Sequence, residues 1–224
     1  MLDDDDEWLP DKLELQRKVM DTFPEVLFCF GNSLSRNPHG EVFHDNLSVW
    51  RNDPRAGSGD QTAGLGELLG PGVAYSSIAG LPIGRVDYMV HVGDIYPVLM
   101  EWYCAANSSV MVRKDRVRAS YRYDESLRNM DDTECFARVS RSGPVAYLDC
   151  ELVVCVQHAG PRLTDLDEIG HMTTRISLHQ RVWGDDERFH RKHSARYHSL
   201  LRDQYLRRAK LLIGELRLEE AKRD

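Results

Sequence analysis

Four consecutive aspartates, Asp3 to Asp6, open this chain, and a second acidic pair stands at Asp131-Asp132. Adjacent carboxylates repel one another. A run of four is therefore either a solvated stretch or a place where a cation is held. Carboxylate oxygens suit hard cations such as Mg²⁺ or Mn²⁺. An Asp-Asp pair at a helix start has two chemical readings. It caps the helix and complements its dipole, or it supplies a positioned carboxylate that takes a proton from a reacting group. His158 closes an apolar run, where a histidine is either a hydrogen-bonded surface residue or a metal ligand.

The elements around these residues say how each is positioned. Pro10 suits the first turn of a helix, because its missing N–H has no partner there. Leu9, Leu13, Met20 and Phe23 recur at helical spacing, so residues 10–22 read as an amphipathic helix. The aspartates thus sit at a tight junction into a packed helix, between Leu2 and Trp8. Residues 25–31 form a short apolar run, a buried strand of an α/β pattern. Residues 41–43 start a second strand. Residues 51–84 are rich in Gly, Ser, Pro and Asp and read as a long loop. Residues 93–102 read as a helix with Ile95, Val98, Leu99 and Trp102 on one face. Residues 105–112 read as a strand, and residues 122–129 as a loop. Residues 131–142 read as a helix with Cys135, Phe136 and Val139 inward, stopped by Gly143-Pro144. Two strands, 145–148 and 152–156, flank a polar joint at Asp149-Cys150-Glu151. Thr164 caps a helix over 165–182, and a last helix covers 186–222 with Tyr197, Leu201, Tyr205, Leu212 and Leu216 as its apolar stripe.

The segment Leu-Asp-x-Asp-Asp-x-Trp-x-Pro-x-Lys-Leu-x-x-Gln at its head resembles the centre of a family 2 glycosyltransferase domain of GT-A fold. In that family an Asp-x-Asp motif at a strand end binds the divalent cation and the sugar nucleotide. The matching positions are Asp3 and Asp5, or Asp4 and Asp6 one residue later. The likeness continues through Asn107-Ser108-Ser109-Val110-Met111-Val112-Arg113, through Tyr123-Asp124-Glu125-Ser126-Leu127, through Asp131-Asp132, and through the closing strands that end at His158. It covers about residues 2–165.

The resemblance implies a metal-dependent, inverting transfer of a sugar from a nucleotide-diphosphate sugar to an acceptor hydroxyl. It implies Asp132 as general base, with Asp131 beside it raising its basicity by like-charge repulsion. Asp3, Asp5, Asp6 and His158 are implied as ligands of Mn²⁺ or Mg²⁺. Asp3, Asp4, Ser108, Ser109 and Arg113 are implied in substrate binding, with Arg113 and Arg162 as phosphate contacts. The family's first βαβα half, which holds the nucleotide, has no counterpart here. The expectation is therefore the C-terminal portion of a GT-A domain over residues 1–165, with a helical extension over 166–224. A rival expectation is an inactive glycosyltransferase-like fragment that serves as an interaction module.

The 224 residues suffice for one sizeable core, and 42% apolar and 29% charged residues are ordinary for a globular protein. A net charge of −7 argues against nucleic acid as the main partner. No run approaches the ~20 apolar residues that cross a bilayer, and the acidic start is unlike a secretory leader. The five cysteines form no C-x-x-C pair and read as reduced core residues of a cytoplasmic protein. From Arg181 to Asp224, twelve Lys and Arg against eight Asp and Glu give +4. That basic helix either packs back on the sheet or touches an anionic lipid surface or a partner. His190, His193 and His198 lie in it, but no Cys or Glu completes a zinc pattern, and a solvated helix face is expected.

Overall fold

The computed structural model describes residues 2–47, 64–127, 129–157 and 167–215. Among these, seven strands form one mixed sheet: β1 (Asp6–Trp8), β2 (Phe28–Arg36), β3 (Val42–Asp45), β4 (Gly72–Ala74), β5 (Met89–Gly93), β6 (Met111–Val112) and β7 (Val145–Val156). The order is β3-β2-β7-β5-β4, with β1 on β7 and β6 on β2. β2 and β7 run parallel, and the other pairs are antiparallel. The fold is α/β with flanking helices, as expected.

β7 is the hub. One edge carries β2. The other is shared by β5, against Val145 to Leu148, and β1, against Val153 to Cys155. The polar joint at Asp149-Cys150-Glu151 does not split it into two strands. Instead, Gly31 of β2 lies opposite Leu148 and Asn32 lies opposite Glu151, so β7 bulges there and continues. Gly31 is required at this point: a Cβ would come within 2.6 Å of Leu152 Cδ1 and 2.8 Å of the Cys150 carbonyl.

The side chains alternate across the sheet, as the two-residue period requires. Phe28, Phe30, Val145 and Tyr147 face one core, while Cys29, Ala146 and Leu148 face another. The second core is closed by α1 (Lys12–Thr22) through Leu15, Val19 and Met20. The first is closed by α3 (Tyr96–Glu101), α5 (Asp131–Ser140), α6 (Glu168–Trp183) and α7 (Glu187–Gly214). Two short helices, α2 (Leu65–Leu69) and α4 (Lys114–Val117), lie between the longer ones. Trp183, Phe189, Tyr197 and Leu200 share a core with Phe28 and Phe30, so α6 and α7 are built into the same packing as the sheet.

Several expectations shift. The buried face of α1 is Lys12, Leu15, Gln16, Val19 and Met20, and Leu13 points outward, 49% exposed. Leu9 and Phe23 flank the helix, so the stripe they suggested was rotated. Within the expected loop 51–84, residues 64–84 contain α2, β4 and a 3-10 turn over Tyr75–Ser77; residues 51–63 lie outside the described part. β5 was not foreseen, because its five residues carry a histidine and end in glycine. Residues 105–112 are not one strand but a 3-10 turn over Asn107–Ser109 followed by the two residues of β6. Asp167 caps α6: its Oδ1 accepts from the Gly170 amide at 2.5 Å. Thr164 and Leu216 lie outside the described residues. All five cysteines are free, four of them buried. Among the described residues, no helix is long and apolar enough to cross a membrane.

Candidate active site

The acidic run folds as a turn. The Asp6 amide donates to the Asp3 carbonyl at 3.2 Å, and the Val156 amide donates to the Asp5 carbonyl at 3.1 Å. β1 then pairs Asp6 with Cys155. The turn is therefore held against the end of β7. Asp3 and Asp4 are exposed, and Asp5 and Asp6 are half-buried.

The segment 103–109 braces this turn. The Asp3 amide donates to Ser108 Oγ at 3.0 Å, and the Trp8 indole N–H donates to the Ser108 carbonyl at 2.8 Å. Asn107 Nδ2 donates to Asp3 Oδ1 at 2.7 Å, and the Tyr123 hydroxyl donates to Asn107 Oδ1 at 2.7 Å. The Ser109 hydroxyl closes the 3-10 turn on the Ala106 carbonyl at 2.8 Å. Under this turn lies a buried polar pair from α1. Lys12 Nζ donates to Gln16 Oε1 at 2.6 Å, and Gln16 Nε2 donates to the carbonyls of Cys29 and Ser109. Trp8 covers the ammonium, 4.5 Å from its ring centroid. Burial lowers the Lys12 pKa to about 8.

At its other end the same segment reaches the second acidic pair. The Tyr103 hydroxyl donates to Asp132 Oδ2 at 2.7 Å. Asp132 Oδ1 accepts from the Thr133 amide at 2.6 Å and lies 3.3 Å from the Thr133 hydroxyl. Burial, first of all, pushes the Asp132 carboxyl above the ordinary aspartate range; Asp131 adds a smaller push, and Tyr103 and Thr133 oppose both. The like-charge argument from sequence thus had the right sign but named the lesser cause. Tyr103 is raised well above an ordinary phenol, by burial first and then by the charges of Asp132 and, more weakly, Asp3. Asp132 is in direct contact with this hydroxyl, whereas the acidic turn reaches it only as a weaker charge. Met130, immediately before the pair, has φ of 60°. This left-handed residue turns the chain into α5 and sets Asp131 and Asp132 in its first turn.

Other expected residues lie elsewhere. Ser108 and Ser109 are fully buried, and their polar atoms hold the acidic turn and α1. They brace the site and do not line a substrate surface. Arg113 donates through Nε to the Val26 carbonyl at 3.1 Å and through its terminal nitrogen to the Met20 carbonyl. Its guanidinium ties the end of α1 to the sheet, where a phosphate contact was expected. Asp6 turns inward: burial raises its carboxyl, and the Ser108 hydroxyl and Cys155 thiol donate to it. His158 and Arg162 lie outside the described residues. His190 is held by the Gly184 carbonyl at 2.9 Å and stacks on His198.

A resident divalent cation is tested by the donor set. Among the described residues no three His, Cys, Asp or Glu side chains converge as a closed metal site. An open site asks for less. Mg²⁺-type cations commonly use one or two carboxylates plus substrate phosphates. Asp3 and Asp5 are the candidates for that pattern: Asp3 is exposed and Asp5 half-buried on the same turn.

Tyr103, Asn107 and Tyr123 were not singled out as site residues from the sequence. Tyr103 carried a usable signal: a tyrosine entering the apolar run Cys104-Ala105-Ala106 needs a partner for its hydroxyl. No protein-family model matches this chain. No curated protein matches it either.

Proposed function

We propose that this chain carries the catalytic centre of a family 2, GT-A-type glycosyltransferase. It moves a sugar from a nucleotide-diphosphate sugar to an acceptor hydroxyl with inversion. One observation carries the reading: a single segment, residues 103–109, bonds to the acidic turn through Asn107 and to the carboxylate of Asp132 through Tyr103.

In this reading Asp132 accepts the proton of the acceptor hydroxyl. The acceptor oxygen attacks the anomeric carbon from the face opposite the leaving group. The bond from that carbon to the diphosphate oxygen breaks, and its electron pair leaves with the diphosphate. A raised carboxyl suits this work, because a base that is too acidic takes protons poorly. Asp3 and Asp5 would hold a Mn²⁺ or Mg²⁺ ion, whose charge would offset that of the departing diphosphate. Asn107 and Ser108 keep the Asp3 backbone and carboxylate in place, so that little reorganisation is needed.

The test is release of nucleoside diphosphate from a panel of nucleotide sugars, with Mn²⁺, with Mg²⁺ and with chelator. The reading expects cation-dependent release that Asp132→Asn removes while the fold is kept. Absence of release with every donor, or full activity in Asp132→Asn, overturns it.

A further inference from the structure

We propose that Tyr103 is a positioning residue for Asp132: its hydroxyl pins one carboxylate oxygen and so fixes the direction from which Asp132 takes a proton. The inference rests on the reading of Asp132 as the base and adds a residue to it. Tyr103 is the donor at Asp132 Oδ2, 2.7 Å away, while Thr133 occupies Oδ1. A carboxylate has about four lone-pair directions, and these contacts take up part of them. The remaining directions are the ones that the proposed transfer assigns to an acceptor.

The geometry gives Tyr103 the stiffness for this role. It sits directly before Cys104 and Ala105, both fully buried, and α3 ends at Glu101 just before it. Its backbone is thus fixed on both sides by the core. Burial and the adjacent Asp132 carboxylate raise its hydroxyl well above an ordinary phenol, so it keeps its proton while a carboxyl titrates. It is therefore a donor at all times and does not compete for the proton. The groups around Asp132 come from every side. Asp131 and Thr133 lie on its own helix, Tyr103 and Tyr123 come from the neighbouring segments, and Asp3 acts on Tyr103 from the acidic turn. Of these, Tyr103 and Thr133 favour the ionised form, and burial and Asp131 oppose it.

The experiment is a carboxyl ¹³C NMR titration of the whole chain with labelled aspartate, comparing wild type, Tyr103→Phe and Tyr123→Phe. Tyr103→Phe is expected to move the Asp132 midpoint to higher pH, because the donor that favours the carboxylate is lost. Tyr123→Phe, which loses a bond to Asn107 instead, is expected to leave the midpoint in place. An unchanged Asp132 midpoint in Tyr103→Phe overturns the proposal, as does an equal shift in both variants. If Tyr103→Phe does not fold, the wild-type chain still decides. The Tyr103 hydroxyl proton is expected to move as Asp132 titrates, and a proton indifferent to that titration contradicts the coupling. Neither measurement needs turnover. A failed titration therefore leaves the transfer reading standing, and a failed turnover assay leaves this coupling open to test.

Discussion

Asn107 donates to the carboxylate of Asp3 at 2.7 Å across 104 positions of sequence, and this bond fixes the acidic turn to the segment that also reaches Asp132. Asn107→Ala removes that donor while keeping the 3-10 turn, whose bonds are made by backbone and by Ser109. A hydrogen bond to a charged group contributes about 1.5–3 kcal/mol. Cation-dependent turnover is therefore expected to fall by roughly tenfold or more. Steady-state rates at saturating Mn²⁺ check this, and an unchanged rate separates Asn107 from the site.

Asp132→Asn keeps the shape of the side chain and an oxygen for Tyr103, but not the carboxylate proposed as the base. Loss of a general base is expected to lower turnover by about 10²–10⁴-fold. The melting temperature is expected to stay level or rise, because a half-buried charge is replaced by a neutral amide. In the wild type, the acidic limb of the pH–rate profile is expected above the ordinary aspartate range. Activity rises as pH climbs through the raised Asp132 value and the carboxylate forms. A limb in the ordinary aspartate range contradicts the assignment.

The architecture was largely legible in the sequence, and the site only partly. The apolar runs at 25–31 and 145–156 are buried and central because both faces of β2 and β7 are covered by helices. α5 was readable from Cys135, Phe136 and Val139, which are all buried at one helix face. The face of α1 was misread, since Lys12 and Gln16 are polar yet buried, and a hydrophobic period cannot show that. β5 was missed because its five residues carry a histidine and end in glycine, which weakens the strand pattern. The acidic residues were visible, but their braces were not. Asn107, Tyr103 and Tyr123 acquire meaning only through contacts 104, 29 and 16 positions apart in sequence, which no local period shows.

Arg85 and Asp11 offer a test of the scaffold below the site. The guanidinium grips Asp11 through two bonds, at 2.6 and 2.7 Å, with both side chains less than one-fifth exposed. Arg85→Met is expected to destabilise the fold by about 2 kcal/mol in urea. Arg85 holds the Asp11 carboxyl below its ordinary range. The stability from this pair is therefore present above the unfolded-state value and is lost as pH falls through the depressed folded-state value. The variant is expected to lose less stability than wild type across that acidic window.

His179 and Gln204 join α6 to α7 through a buried contact of 2.9 Å. Burial holds His179 down to about 3, against 6.5 for the ordinary imidazole. Between those values the unfolded chain binds a proton that the folded chain does not. Stability is therefore expected to fall as pH drops below 6.5, by up to about 1.4 kcal/mol per pH unit. Replacing both partners, His179→Leu with Gln204→Leu, is expected to flatten this slope. Urea midpoints between pH 7 and pH 4 check it, and an unaltered slope contradicts the assignment.

The central claim is that the acidic turn and Asp132 form one centre around a cation. Paramagnetic broadening by Mn²⁺ tests it most directly. Titrated into the isotopically labelled chain at substoichiometric concentration, Mn²⁺ is expected to broaden Asp3 and Asp5 first, and then Asn107, Tyr103 and Asp132 at the same concentrations. The His190–His198 region is expected to stay sharp. Broadening that spares Asp132 and Tyr103 while Asp3 and Asp5 respond, or that appears first on α7, contradicts a single centre.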